Sequence, residues 1–195
     1  MSCINRITEG ITKDCSAINA AIGVDKDLYL VNYEDIDIAA TKDDANREID
    51  DSNGNEGGLK TLIPKDSSAL GGLDTIVFEG TDYSVQPSVT AEVRDNGDTW
   101  YIHTIVFTAY NKTAMARKAI EAIGSSKVIA IAKDRSTGLY EVFGLEIGLK
   151  CTAVERPYTG AQNSNFYTVT IATPDLAVIR ESTLGELVTS LDASV

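Results

Sequence analysis

His103 is the only histidine in the chain, and with Cys3, Cys15 and Cys151 it makes up the whole stock of nitrogen and sulfur side chains suited to metals or nucleophilic chemistry. A structural zinc site draws on about four such ligands, commonly with two cysteines closely spaced. Here the cysteines are far apart, odd in number and free of any Cys-x-x-Cys pair. That argues against zinc and against a disulfide framework, and for assembly in a reducing compartment. A Ser-His-Asp or Cys-His arrangement would have to use His103, which sits between Ile102 and Thr104 in a strand-like run. It reads as a packed or hydrogen-bonded strand residue. Gly144-x-x-x-Gly148-Leu149-Lys150 has neither the spacing of a phosphate-binding loop nor the Ser or Thr that follows its lysine, and it is no dinucleotide turn. Its glycines read as sites of close backbone approach or a sheet bulge. Carboxylates are plentiful, but Asp95-Asn96-Gly97-Asp98 is too short for a calcium loop, and the acids at 43–56 lack regular ligand spacing. The expectation is a protein without catalytic residues, cofactor or metal.

The charge balance points the same way. The 195 residues carry 17 Lys and Arg against 29 Asp and Glu, a net charge of −12. A surface this acidic repels phosphates, which disfavours tight nucleic-acid binding and adhesion to anionic membranes. Eleven acids and three bases fall between Asp25 and Glu56, so −8 of the −12 lies in that stretch. A hydrophobic fraction of 43% and a charged fraction of 24% are ordinary for a globular domain, and the length fits one domain with a real core. Met1 to Arg6 lacks the apolar segment of a signal peptide, and runs such as Val128 to Ala132 are too short to span a bilayer. A soluble protein made in the cytoplasm is expected.

The elements that would position these residues are mostly strands. Residues 1–33 read as an N-terminal arm and a first strand at Leu28–Val31. Residues 34–68 are acidic and poor in large apolar side chains, which predicts a long solvated loop or a partner-dependent segment. Within it Glu34, Asp35, Asp37, Asp43, Asp44, Asp50 and Asp51 form a candidate acidic lumen or docking loop. Residues 69–175 read as the β core. Asn96-Gly97 predicts a tight hairpin turn. The return strand, Thr99 to Tyr110, carries apolar groups on both faces, as a strand covered by its own core and by a neighbouring subunit would. The candidate inter-subunit hairpin therefore spans 84–110 and includes Val85, Val89, Val93, Trp100, Ile102 and Val106. A helix is predicted over 112–123, capped by Asn111 and ended by Gly124. Residues 176–195 read as an arm or a short helix, because Thr183-Leu184-Gly185-Glu186 resembles a capping box ahead of an apolar stripe.

The order of long hairpin, helix and paired strands resembles the tail-tube proteins of bacterial viruses, more specifically virion proteins of phages infecting Bacteroidetes. Three passages carry the resemblance. One is Gly10-Ile11-Thr12-Lys13-Asp14-Cys15 with Lys26 to Asp35. The second is Val128 to Asp134 with Leu139 to Leu149. The third is Tyr158-Thr159-Gly160 with the strand at 166–172. It covers most of the chain outside 36–68. It implies a mainly β fold, a tail-tube-like β-sandwich or barrel with one inserted helix, a long hairpin and extended loops and termini. It implies that five or six copies, six being the expected number, join hairpins into a ring, and that stacked rings form a conduit through which DNA passes without specific binding. The partners implied are the chain itself and other tail, neck or portal proteins of a virion assembled in the host cytoplasm, with no membrane involved. The insertion at 36–68 and the extension beyond Pro174 depart from the pattern, so a tube subunit, neck, terminator or connector are all compatible. A tube component of a contractile secretion or injection system shares the same expected fold. A non-catalytic β-sandwich binding module is the alternative from another class; it calls for an exposed aromatic platform, and Trp100 is the lone tryptophan.

Overall fold

Five consecutive apolar residues, Val128 to Ala132, lie in strand β7 (Lys127–Asp134), and all five are buried. A strand turns successive side chains to opposite faces, so a run like this needs a core on each side. The computed structural model describes residues 23–49, 56–65, 75–93, 99–110, 113–135, 138–156, 166–174, 181–188 and 191, and it places two cores there. Val128, Ala130 and Ala132 enter an inner core; Ile129 and Ile131 enter an outer one.

The hydrogen-bond ladders of β7 explain how two cores arise from one sheet. Along one edge runs β1 (Val24–Asn32), antiparallel, with Leu28 opposite Ala132 and Asn32 opposite Val128. The other edge is divided. β8 (Tyr140–Phe143) takes Ala130 to Lys133, and β9 (Leu149–Glu155) takes Lys127 and Val128. The sheet therefore forks at Ile129. One wing continues from β9 through β10 (Tyr167–Ala172) and β6 (Thr99–Ala109) to β5 (Val85–Val93). The other continues from β8 through β11 (Glu186–Val188) and β3 (Glu56–Leu59) to β2 (Arg47–Ile49). β4 (Ile76–Phe78) also pairs with β1. The fold is mainly β, one mixed sheet of eleven strands among the described residues.

The first wing coils around the inner core. Leu28 and Leu30 of β1, Ile105 and Phe107 of β6, and Val169 and Ile171 of β10 are all buried there. Phe78 of β4 meets Phe107 across it, with ring centroids 5.2 Å apart, so the two ends of the coil close on each other. Helix α2 (Ala114–Ser125) adds Ile120 and Ile123. Its cap is Thr113, whose Oγ1 accepts from Ala116 N at 3.2 Å. The predicted cap, Asn111, lies outside the described residues. Gly124 is inside the helix and is not left-handed; the chain leaves through Ser126, whose N–H donates to Ala122 O at 3.0 Å.

The outer core overturns the expectation for 34–68. Ile36, Leu59 and Leu62 are fully buried against Val31, Ile129, Ile131 and Val142. Around them the backbone is ordered by specific bonds. Asn46 Nδ2 donates to Thr41 O at 2.9 Å and to Thr61 O at 2.8 Å, and Thr41 Oγ1 accepts from Ile63 N at 3.0 Å. The segment includes α1 (Ile38–Thr41), whose N-cap is Asp37. Its described residues, 34–49 and 56–65, pack as a layer, with Glu34, Asp35 and Asp43 exposed. Three apolar side chains suffice because each is completely covered, at about 1.5–3 kcal/mol apiece.

The segment near 183–191 is also a correction. β11 replaces the predicted short helix, and it is interior to the sheet. Val188 sits opposite Leu59 of β3 in parallel and opposite Tyr140 of β8 antiparallel. Leu184 and Leu187, which suggested a helical stripe, are exposed, whereas Val188 is buried.

Leu62→Ala should lower unfolding stability by about 2–5 kcal/mol, comparable with Ile131→Ala. Denaturant titration of the two variants checks this; a loss under about 0.5 kcal/mol for Leu62, the usual range for a surface change, would return the segment to the role of a loop.

Candidate functional site

The β5–β6 hairpin holds its register without interruption from Val85 opposite Phe107 to Val93 opposite Thr99. This fixes which candidates share a face. Val85, Val89 and Val93 pair with Phe107, His103 and Thr99, so they lie on the core side. Val85 is 6% exposed and belongs to the inner core, Val89 packs against it, and Val93 at the far end is 72% exposed. Trp100, Ile102 and Val106 stand on the opposite face beside Glu92, Thr90 and Gln86, and all three are half-buried. The β10 ladder covers β6 only from Thr104 to Ala109. Beyond that the hairpin overhangs the sheet, steadied by Thr173 N donating to His103 O at 2.9 Å and Tyr101 N donating to Glu181 O at 3.0 Å. Among the described ladders β5 pairs with β6 alone, leaving its other edge open. Its proline, Pro87, is where a strand tolerates one.

The acidic candidates are spread over the outer layer. Glu34 and Asp35 are exposed; Lys65 Nζ lies 4.0 Å from Glu34, and Asn32 Nδ2 donates to Asp35 at 3.1 Å. Asp37 accepts from Ala40 N at 3.0 Å as the cap of α1, and Asp43 accepts from Ala45 N at 3.0 Å. Asp44 lies in a short 3-10 turn, Asp44–Asn46. Asp50 and Asp51 fall outside the described residues.

A second constellation joins residues far apart in sequence. The turn between β8 and β9 sits in the fork of the sheet, with Gly144 and Gly148 at φ +76° and +72°. A Cβ on Gly144 would approach Leu149 Cγ to 2.6 Å, and one on Gly148 would approach Lys127 Cγ to 2.8 Å, the close approach its glycines predict. The turn's amides reach no strand, and Glu181 takes them up. Its carboxylate accepts from Glu146 N at 3.0 Å and from Ile147 N at 2.9 Å. The favour is returned by Glu146, whose carboxylate accepts from Ser182 N and Ser182 Oγ, each at 2.6 Å, and from Lys42 Nζ. Tyr33 Oη donates to Glu146 O at 2.6 Å. Lys127 Nζ rests over the Tyr33 ring, 3.8 Å from its centre.

His103 completes the group. Gly144 N–H donates to Nδ1 at 3.1 Å, so Nε2 carries the hydrogen and donates to Thr183 O at 2.9 Å. The ring is 1% exposed and stands edge-on to Phe143. Burial lowers its pKa below the ordinary 6.5, against the Thr183 carbonyl and Glu146, which raise it. Burial raises Glu181 above the usual carboxylate value, although its two amide partners pull the other way. Glu146 is also lifted by burial, but Lys42 and Ser182 outweigh this and hold it low. Both ring nitrogens of His103 are engaged by the backbone, Nδ1 as acceptor and Nε2–H as donor. The arrangement binds segments together and offers no free base to a substrate. Sequence reasoning flagged Gly144, Gly148 and His103 singly and missed Lys42, Glu146, Glu181 and Ser182; a lone charge inside Gly-Leu-Glu-Ile-Gly was the available signal.

One exposed residue is strained. Ser84 N–H donates to Thr81 O at 3.0 Å, closing a turn in which Tyr83 has φ +66°. This is the third position of a type II turn, which favours glycine. Tyr83 is 84% exposed. Arg135, bonded to Asp82 and 3.5 Å from Asp25, and Ser84 Oγ, 3.0 Å from Thr81 N, hold the turn in place.

Among the described residues no three His, Cys, Asp or Glu side chains converge as a metal site, and no helix is long and apolar enough to cross a membrane. No protein-family model, curated protein or solved structure matches the chain.

Tyr83→Gly should be more stable than Tyr83→Ala by about 0.5–1 kcal/mol, because only glycine relieves the left-handed conformation without cost. Chemical denaturation of the pair checks it; equal stabilities would mean the turn carries no strain.

Proposed function

We propose that the protein is a structural subunit that associates with copies of itself through the overhanging β5–β6 hairpin, as a ring-forming component of a phage tail or neck that conducts DNA. The observation that carries this reading is the hairpin itself. Five pairs of its nine-pair ladder, Val89–Val93 with Thr99–His103, project past β10; among the described ladders the β5 edge is open, and Trp100 and Ile102 of the projecting part, with Val106 beside β10, are half-buried on the face away from the core. An open edge with apolar side chains is a template for pairing with another strand, and head-to-tail pairing that closes on itself makes a ring. The action is mechanical, with no turnover. The net charge of −12 suits a wall that DNA must slide past without holding phosphate contacts. The exposed acids Glu34, Asp35 and Asp43 belong to the outer layer rather than to the hairpin. In this reading they serve contacts between rings or with other virion proteins. A contractile injection system would use the same hairpin and differ in its partners.

Light scattering and negative-stain microscopy of the purified chain should show rings that Ile102→Glu with Val106→Glu abolishes, while the unfolding free energy changes by no more than about 0.5 kcal/mol per substitution, the range of surface changes. A strict monomer at high concentration, alone and beside neighbouring virion proteins, would sink the reading. Rings that survive the double substitution would move the interface elsewhere.

A further inference from the structure

The segment 181–188 is attached at two places. At one end Glu181, Ser182 and Thr183 engage the 144–147 turn and His103. At the other, β11 fills the gap between the β3 and β8 edges. We propose that residues 181–188 form an acid-released strap: neutral His103 keeps it closed, and protonation of that ring frees it from the turn and uncovers the β3 and β8 edges that β11 joins.

The geometry supplies the reason. The ring already has its hydrogen on Nε2, directed at Thr183 O, because Nδ1 accepts from Gly144 N–H. A second proton can go only to Nδ1. There it would face the Gly144 N–H across 3.1 Å, turning an attraction into donor against donor. Gly144 has little room to retreat, since Leu149 packs against it. Buried as it is, the cation could gain water only if something covering it moved. Of the elements around the ring, β6, Phe143 and Thr173 are tied into the inner sheet. The strap is held by a three-residue strand with one buried side chain, Val188, by the Arg47–Glu186 ion pair, by the Tyr101 N–H bond to Glu181 O and by the polar clasp.

The charged and titratable groups facing this site from the other elements are Glu146 of the turn, Glu181 of the strap, Lys42 after α1, Tyr33 after β1 and Lys127 of β7. Glu146 would attract an imidazolium, but it is already engaged by Lys42 and Ser182. Because the ring in the closed strap titrates below its ordinary 6.5, the open state takes up the proton first. Closure is therefore fully stable above 6.5 and is lost as the pH falls below it, by up to about tenfold per pH unit for one proton. Glu181, raised in the closed state, opposes release once the carboxylate range is reached, while Glu146, held low, adds to it there. The His103 window lies above that range. None of this requires assembly; it is a property of the single chain.

Hydrogen exchange of the amides at 56–59 and 186–188, corrected for intrinsic rates, reads the strap directly. Between pH 6.5 and 5.5 their protection should fall by about fivefold, while β6 and β10 stay protected. His103→Gln, whose amide can keep both an acceptor and a donor, should remove that dependence. Constant protection in the native chain, an equal loss in His103→Gln, or a loss shared by β6 and β10 would each overturn the proposal. Should the variant not fold, the single imidazole signal of the native chain decides by NMR. Titration together with strap exposure supports the strap, and titration at 6.5 or above with the strap amides still protected refutes it.

Discussion

β7 is buried on both faces, and most of the architecture follows from that requirement. A strand with Val128, Ala130 and Ala132 on one side and Ile129 and Ile131 on the other cannot lie at the surface of a half-exposed sheet. The inner face is covered by the coil of β1, β6, β10 and α2. Among the described residues the outer face is covered by Ile36, Leu59, Leu62, Val142, Leu145 and Val188. The fork at Ile129 is the backbone counterpart: one edge of β7 serves β8 for the outer layer and β9 for the coil.

A fork leaves backbone groups without ladder partners, and buried amides must find others. The β8–β9 turn lies in this gap, and Glu181 and His103 supply what the sheet does not. The clasp is thus a consequence of the branched sheet. It also explains why an imidazole and two carboxylates gather there. Their hydrogen-bonding capacity is spent on the turn and on each other, and a paired buried group keeps its place because breaking one partner leaves the other stranded.

The hairpin, α2 and the strands after it could be read from local pattern. Alternation along Thr99–Tyr110 places His103, Ile105, Phe107 and Ala109 on one side, and all four are buried. α2 starts two residues later than predicted, with Thr113 as its cap. The outer layer was not legible. Ile36, Leu59 and Leu62 are isolated among acids, and their burial depends on β7 and β11, distant in sequence. β11 was misread because Leu184, Leu187, Val188 and Leu191 have helical spacing, while pairing with β3 and β8 settles the matter. Glu181 had no local signal at all, since its partners are the amides of a turn some thirty-five residues earlier.

The position of β11 in the chain has a consequence for biosynthesis. β11 follows every other described strand, yet it sits in the middle of a wing, between β3 and β8. During translation β3 emerges first and waits for about ten seconds at ordinary elongation rates before its neighbour exists. Through that interval the nascent polypeptide carries the unfilled edge of β3, joined late by that of β8, each capable of capturing a strand from another ribosome's product. Most of the acid surplus lies between Asp25 and Glu56, at or before β3 in the chain, and like charge disfavours pairing between two such half-made molecules.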